Sequence, residues 1–144
     1  MKILLICSKA FYRDIPPIKA ALGRLGHKVY LPNCFDDPGA ESEAWQAGGR
    51  EHSAFKAAMF EKSRETINKS DAVLVLNFDK EKNGAVYKNY IGGATFLEMY
   101  DAFVSGKKIY LYNGIPEGIL FDEIHGFSPC VIHGDLDLIR GEDE

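Results

Sequence analysis

The 144-residue chain has no run of lysine or arginine, and its formal net charge is −4. Nucleic-acid phosphates demand a basic patch, so this balance argues against a polynucleotide partner. Long apolar runs are missing too. The stretch from Ile3 to Cys7 is too short for a signal peptide and far too short to cross a bilayer, so no membrane partner is expected. Cysteine is scarce: Cys7, Cys34 and Cys130 are odd in number and widely spaced, and no CxxC occurs. That pattern reads as reduced thiols in a cytoplasmic protein, not as a disulfide framework. The four histidines, His27, His52, His125 and His133, form neither HxxxH nor HExxH, so no metal site is expected. GxSxG, GxxxxGK[ST] and GxGxxG are absent, which leaves serine hydrolysis, P-loop chemistry and an NAD-type site without support. No cofactor is expected.

The rest is an ordinary globular composition, 46% hydrophobic and 26% charged, enough to build one core over residues 1–140. The acidic end, Gly141 to Glu144, reads as a frayed tail. Lys2 to Cys7 (KILLIC) is the first predicted strand. A loop from Ser8 to Asp14 follows, carrying Phe11, Tyr12 and Arg13. A helix is predicted from Ile15 to Leu25, with Asp14 as its cap and Pro16 and Pro17 tolerated in its first turn. Lys28 to Leu31 is the second strand. Asn33 to Arg50 reads as a long irregular segment with one Pro, three Gly and the only Trp. A segment this long is usually functional or disordered, and Trp45 is either a lid over a ligand or a pin on the body. His52 to Asn68 is a second helix.

The stretch from Ser70 to Asn113 organises the chain. Ala72 to Asn77 (AVLVLN) and Lys107 to Tyr112 (KKIYLY) are near-continuous apolar runs, as strands buried on both faces should be. Between them lie a polar loop, Asp79 to Tyr90, and a helix that follows Gly92-Gly93 and stops at Gly106. Pro116 to Ile124 reads as a short helix, Cys130 to His133 as a last strand, and Asp135 to Ile139 as one further turn. Strict strand–helix alternation predicts an α/β domain: a flavodoxin-like, Rossmann-like three-layer sandwich with a five-stranded parallel sheet of order 2-1-3-4-5. Ligands of such sheets bind beyond the carboxyl ends of the strands, where the order reverses. That places Ser8–Asp14, Asp79–Tyr90 and the start of the Glu98 helix at the site.

Glu98 is the first candidate there. On a helical wheel Phe96, Met99, Tyr100, Phe103 and Val104 form the apolar face, and Glu98 lies opposite with Ala94, Ala102 and Ser105. It is either a solvated helix acid or an acid facing the crevice across a surface of small residues. Gly92, Gly93, Ala94 and Thr95 open the helix, where backbone amides can hold an anion, although such a pair is more often a turn. Asp71, just before the third strand, reads by position as a cap or turn residue. Tyr12 and Phe11 either stack on a ligand ring or cap the core.

Three segments resemble the nucleoside 2-deoxyribosyltransferase superfamily, which includes the 2′-deoxynucleoside 5′-phosphate N-glycosidases. KILLICSKAFYRD resembles the family's opening strand and substrate loop, and SDAVLVLN its “DAVVAnl” strand. ATFLEMYDA followed by GKKIYLYN resembles its “GTAFELGYAYA…GKPV” helix and strand. The resemblance implies Glu98 as a nucleophile, Asp71 as a substrate-binding acid, and Tyr12 and Phe11 as a wall for the base, with Gly92, Gly93 and Thr95 beside the substrate. It implies cleavage or transfer at the N-glycosidic bond of 2′-deoxynucleosides or their 5′-monophosphates, without a metal. It also implies a homodimer or higher homo-oligomer, because the family builds its sites at subunit contacts. Two family glycines are Ala94 and Tyr100 here, which keeps open a nucleotide-binding sensor of the same fold. GGATFLE also resembles the PGGxGTxxE signature of cytokinin-activating phosphoribohydrolases, without its Pro and one residue short.

Overall fold

The apolar segments become the strands of one parallel sheet. The structure, a computed structural model, describes residues 1–140; the tail expected at 141–144 lies outside the described residues. In chain order the strands are β1 (Lys2–Ile6), β2 (Lys28–Tyr30), β3 (Ala72–Val75), β4 (Lys80–Lys82), β5 (Ala85–Tyr87), β6 (Lys108–Leu111) and β7 (Cys130–Val131). The main sheet has the order β2-β1-β3-β6-β7, with every pairing parallel. Counting only its own strands, that is the expected 2-1-3-4-5.

The helices are α1 (Ile15–Arg24), α2 (Ala40–Ala47), α3 (Gly49–Lys69), α4 (Gly93–Val104) and α5 (Phe121–Gly126). They cover both faces because the strand side chains alternate. Ile3, Leu5 and Leu74 point into one core with Ile15, Ile18 and Leu22 of α1. Leu4, Ile6, Val73 and Val75 point into the other, with Ile67 of α3, Met99 of α4 and Ile124 of α5. At the end of α4, Gly106 takes φ +72. The Gly106 amide donates to the Phe103 carbonyl at 3.1 Å and the Lys107 amide to the Ala102 carbonyl at 2.9 Å. This is the left-handed stop that glycine supplies at least cost.

Several local expectations are corrected. The loop from Asp79 to Tyr90 contains the antiparallel hairpin β4–β5, turned by Asn83 and Gly84 at φ 53 and 78. The irregular segment from Asn33 to Arg50 contains α2. Asp14 makes no capping bond to α1; it closes a 3-10 turn, Lys9–Asp14, that runs straight into that helix. The helix predicted from Pro116 begins only at Phe121. The terminal turn is a 3-10 turn at Leu136–Leu138.

Asn77, fully buried just past β3, locks the carboxyl ends of β3 and β6 together. Its Nδ2 donates to the carbonyls of Asn113 and Gly114 at 3.1 and 2.9 Å, and its Oδ1 accepts from the Asn113 amide at 2.8 Å. Removing the amide strands these backbone groups, and a buried unpaired group costs about 1–3 kcal/mol. Asn77→Ala is therefore expected to lower the unfolding free energy by about 3 kcal/mol, read from urea midpoints at unchanged slope.

Candidate active site

A cavity of about 240 Å³ opens beside the carboxyl end of β1, on the side of the sheet where the order reverses. The chain after β1 contributes Cys7, Ser8, Lys9 and Tyr12, and the chain after β2 contributes Pro32, Asn33 and Cys34. Glu41 of α2 joins them. One wall is α3, through Phe55, Lys56, Met59, Phe60 and Ser63. Facing it stands the start of α4, with Gly92, Gly93, Ala94, Thr95 and Glu98. Gly92 is the α4 N-cap and carries no side-chain cap bond. A Cβ on Gly93 would meet no protein atom within 4 Å, so the room it leaves belongs to the cavity. Cys34 sits at φ +62, a left-handed conformation uncommon outside glycine.

Glu98 does not face away from the protein as a solvated acid would. The α4 strip that packs on the sheet is Thr95, Met99 and Ala102, all buried. Of the apolar face expected from the wheel, Tyr100, Phe103 and Val104 are 56%, 48% and 61% exposed. The helix is thus rotated from that expectation, and Glu98 points between α4 and α3. Water reaches it through the cavity, so its exposure is intermediate. Protein nonetheless crowds the carboxylate, and burial pushes its pKa up to about 7. The polar Ser63 side chain nearby and the charge of Lys56 pull against that rise, while Asp101 adds to it.

The neighbouring acids are neutral. Burial, then the nearby Glu98 and Asp14, pushes the Cys7 thiol up to about 12. Burial also raises Tyr12, whose hydroxyl donates to the Asn33 carbonyl at 2.7 Å. At the rim His52 holds Glu41 by a 2.8 Å contact, which lowers the Glu41 pKa, and Lys56 lies 3.7 Å from the same carboxylate.

Of the expected site residues, Glu98, Tyr12, Gly92, Gly93 and Thr95 line this cavity. Phe11 does not: it is 4% exposed and packs edge-on against Phe78 in the core. Asp71 lies at the opposite end of the sheet, before β3, where its Oδ2 accepts from the Lys2 amide at 2.7 Å. The strand separates it from the cavity end by ~15 Å. Trp45 is not in the cavity lining and acts as the pin: it stacks on the His52 ring at 3.7 Å, ties α2 to α3 and remains 58% exposed. Sequence reasoning missed Asn33, Lys56 and Ser63, because a polar residue in an irregular segment or on a helix carries no pattern that tells cavity from solvent.

Fold and site together define a flavodoxin-like domain with a carboxylate set in a cavity at its topological switch point. No family model matches the chain, and no curated protein does. Among solved structures, that of the Clostridium botulinum CMP N-glycosidase BcmB is similar. It aligns with TM-score 0.50 and 14% identity over 91% of this chain and 85% of that chain. At that identity the likeness is one of fold, and the fold is the one that the resemblance read from the sequence implies.

The elevated Glu98 pKa has a consequence for stability. Its ordinary value is 4.5 and its folded value about 7. Between these pH values the folded state binds the extra proton, so stability falls as pH rises through about 7. Glu98→Gln removes that loss. The variant is expected to be more stable than wild type by up to about 3 kcal/mol at pH 8.5, with the difference vanishing near pH 4, in urea titrations.

Proposed function

We propose that this protein cleaves, or transfers across, the N-glycosidic bond of 2′-deoxynucleosides or their 5′-monophosphates, with Glu98 as the nucleophile. The observation that carries the reading is the placement of Glu98. Glu41, the other carboxylate of the lining, is engaged by His52 and Lys56, whereas Glu98 stands in the cavity in the second turn of α4, behind its open amino end.

In the reaction the Glu98 carboxylate attacks the anomeric carbon as the bond to the base breaks. The bonding pair leaves with the base, which takes up a proton, and a glycosyl ester on Glu98 remains. Water or a second base then attacks that carbon, the ester bond breaks, and Glu98 is regenerated with configuration retained. Tyr12 and Phe60 offer aromatic surface for the base. Lys9 and Lys56 are the cations of the lining and favour a substrate that carries a phosphate. Asp71 and Phe11 have no part in this scheme.

Base release from a panel of deoxynucleosides and their monophosphates tests the proposal. Glu98→Gln is expected to reduce the rate by about a thousandfold, equivalent to about 4 kcal/mol in the barrier, with folding intact. Because the attacking form is ionised, kcat/KM of the wild type is expected to fall about tenfold per pH unit below pH 7. Turnover by the variant within about tenfold of wild type would remove Glu98 as nucleophile. Binding of a deoxynucleotide without any turnover by the wild type would leave the sensor reading instead.

The reading extends to assembly and location. Leu97, Tyr100, Phe103 and Val104 expose a continuous apolar stripe along α4, 48% to 61% accessible. A second copy of the chain covers it in the proposed homo-oligomer, as the family resemblance implies. Sedimentation should show a dimer or larger species at micromolar concentration, and Phe103→Glu should shift it to monomer. The cysteines Cys7, Cys34 and Cys130 are all free, which fits the reducing conditions of the cytoplasm.

A further inference from the structure

Two carboxylates line the cavity, and the reaction proposed above uses only Glu98. The other, Glu41, lies in the first turn of α2 and is held from α3. His52 Nε2 is 2.8 Å from its Oε2, and Lys56 Nζ is 3.7 Å from the same oxygen. The His52 ring is fixed in turn: it stacks on Trp45 with centroids 3.7 Å apart and planes 13° from parallel. The carboxylate is thus oriented through one oxygen only. Its Oε1 has no hydrogen-bond or ion-pair partner among the described residues, and the side chain is 31% accessible. The hydrogen bond with His52 lowers the Glu41 pKa, so near neutral pH this oxygen belongs to an ionised carboxylate and can only accept. Lys56 Nζ also stands 5.7 Å from the centroid of the Phe60 ring. Glu41 and the Phe60 ring, which offers surface for a base, therefore flank one ammonium group.

We propose that Glu41 selects the base: its Oε1 accepts a hydrogen bond from an exocyclic amino group, so the cavity takes cytosine or adenine in preference to uracil or hypoxanthine. Each pair differs by an amino group against a carbonyl oxygen. The amino group donates to a carboxylate; the carbonyl oxygen can only accept and is repelled by it. A fixed acceptor left facing another acceptor is what makes a polar site reject the wrong analogue. The phosphate of the ligand is an anion, so Glu41 does not hold it. The sugar hydroxyls are donors, but attack at the anomeric carbon seats the sugar against Glu98 on α4, whereas Glu41 is presented from α2. This selection rests on the function proposed above for its class of ligand, and it adds which bases that site takes.

The test is equilibrium dialysis of Glu98→Gln, which is expected to hold substrate without consuming it, against the 5′-monophosphates of deoxycytidine, deoxyuridine, deoxyadenosine and deoxyinosine. Each amino ligand is expected to bind at least about tenfold more tightly than its carbonyl counterpart. Adding Glu41→Gln gives a side chain of the same size that can donate or accept, and both ratios are expected to fall to within about threefold. Thermal unfolding read alongside confirms that each variant is folded. Ratios within about threefold before Glu41 is changed, or a loss in the double variant that is equal for all four ligands, overturn the proposal. Base release by the wild type without a preference overturns this selection and leaves the glycosidase reading standing. A Glu41-dependent preference in binding, without any release by the wild type, does the reverse. Failure of all four ligands to bind overturns both.

Discussion

The burial of one carboxylate between α3 and α4 is the constraint around which the site is built. Removing Glu98 from water opposes its charge, and that effect, with the repulsion of Asp101, outweighs the lowering influence of Ser63 and Lys56, so the pKa stands at about 7. A carboxylate so placed is about half ionised at neutral pH, and it is more basic than an exposed glutamate.

The sheet supplies the rigidity that such a balance needs. β1 is hydrogen-bonded on both sides, by β2 and β3, and the residues after β1 and β2 enter the cavity from neighbouring strands. Asn77 fixes the loop after β6 to the end of β3, so the carboxyl edge on which α4 stands is closed by side-chain as well as backbone bonds. α3 is a 21-residue helix anchored in the core by Ile67, near its far end. Its cavity residues, Lys56, Met59, Phe60 and Ser63, therefore lie on a rigid rod.

The parts that were readable from the residues are those where periodicity and burial coincide. KILLI and AVLV are unbroken apolar runs because both faces of their strands are covered, and that alone implies a parallel sheet. Gly92-Gly93 and Gly106 bracket α4 because a helix needs an open start and a left-handed stop. The segment from Asp79 to Tyr90 differs from the expected loop because Asn83-Gly84, between EK and AVY, is a two-residue hairpin turn. The inner face of α4 differs from expectation for another reason. A helix with Phe96, Leu97, Tyr100, Phe103 and Val104 has more apolar surface than one sheet contact can bury, so the largest side chains do not mark the inner face. The small ones, Thr95 and Ala102, pack there, and Tyr100 and Phe103 lie outside against Phe127. Asp71 was carried by similarity of letters across a strand whose two ends are far apart. The contrary signal stands in the sequence: Asp71 precedes its strand, whereas ligands of such sheets bind beyond the carboxyl ends.

The same geometry decides what the two departures from the family pattern mean. Tyr100 is more than half exposed on the outer side of α4, away from the Glu98 carboxylate. Ala94 does line the cavity, but it adds one methyl group to a turn that Gly93 leaves open. Neither blocks Glu98. Charge is the sterner condition on the proposed reaction. A phosphate brought near Glu98 repels the carboxylate and favours its protonated form, which would disarm the nucleophile as substrate binds. Lys9 and Lys56 line the same cavity, and they offset that repulsion only as far as their charge is free to meet the phosphate. Lys56 already shares the Glu41 carboxylate with His52. In the proposed reaction, a rearrangement that left Glu41 to His52 alone would free Lys56 for the phosphate, so the electrostatic cost of binding would depend on the position of α2, which carries Glu41.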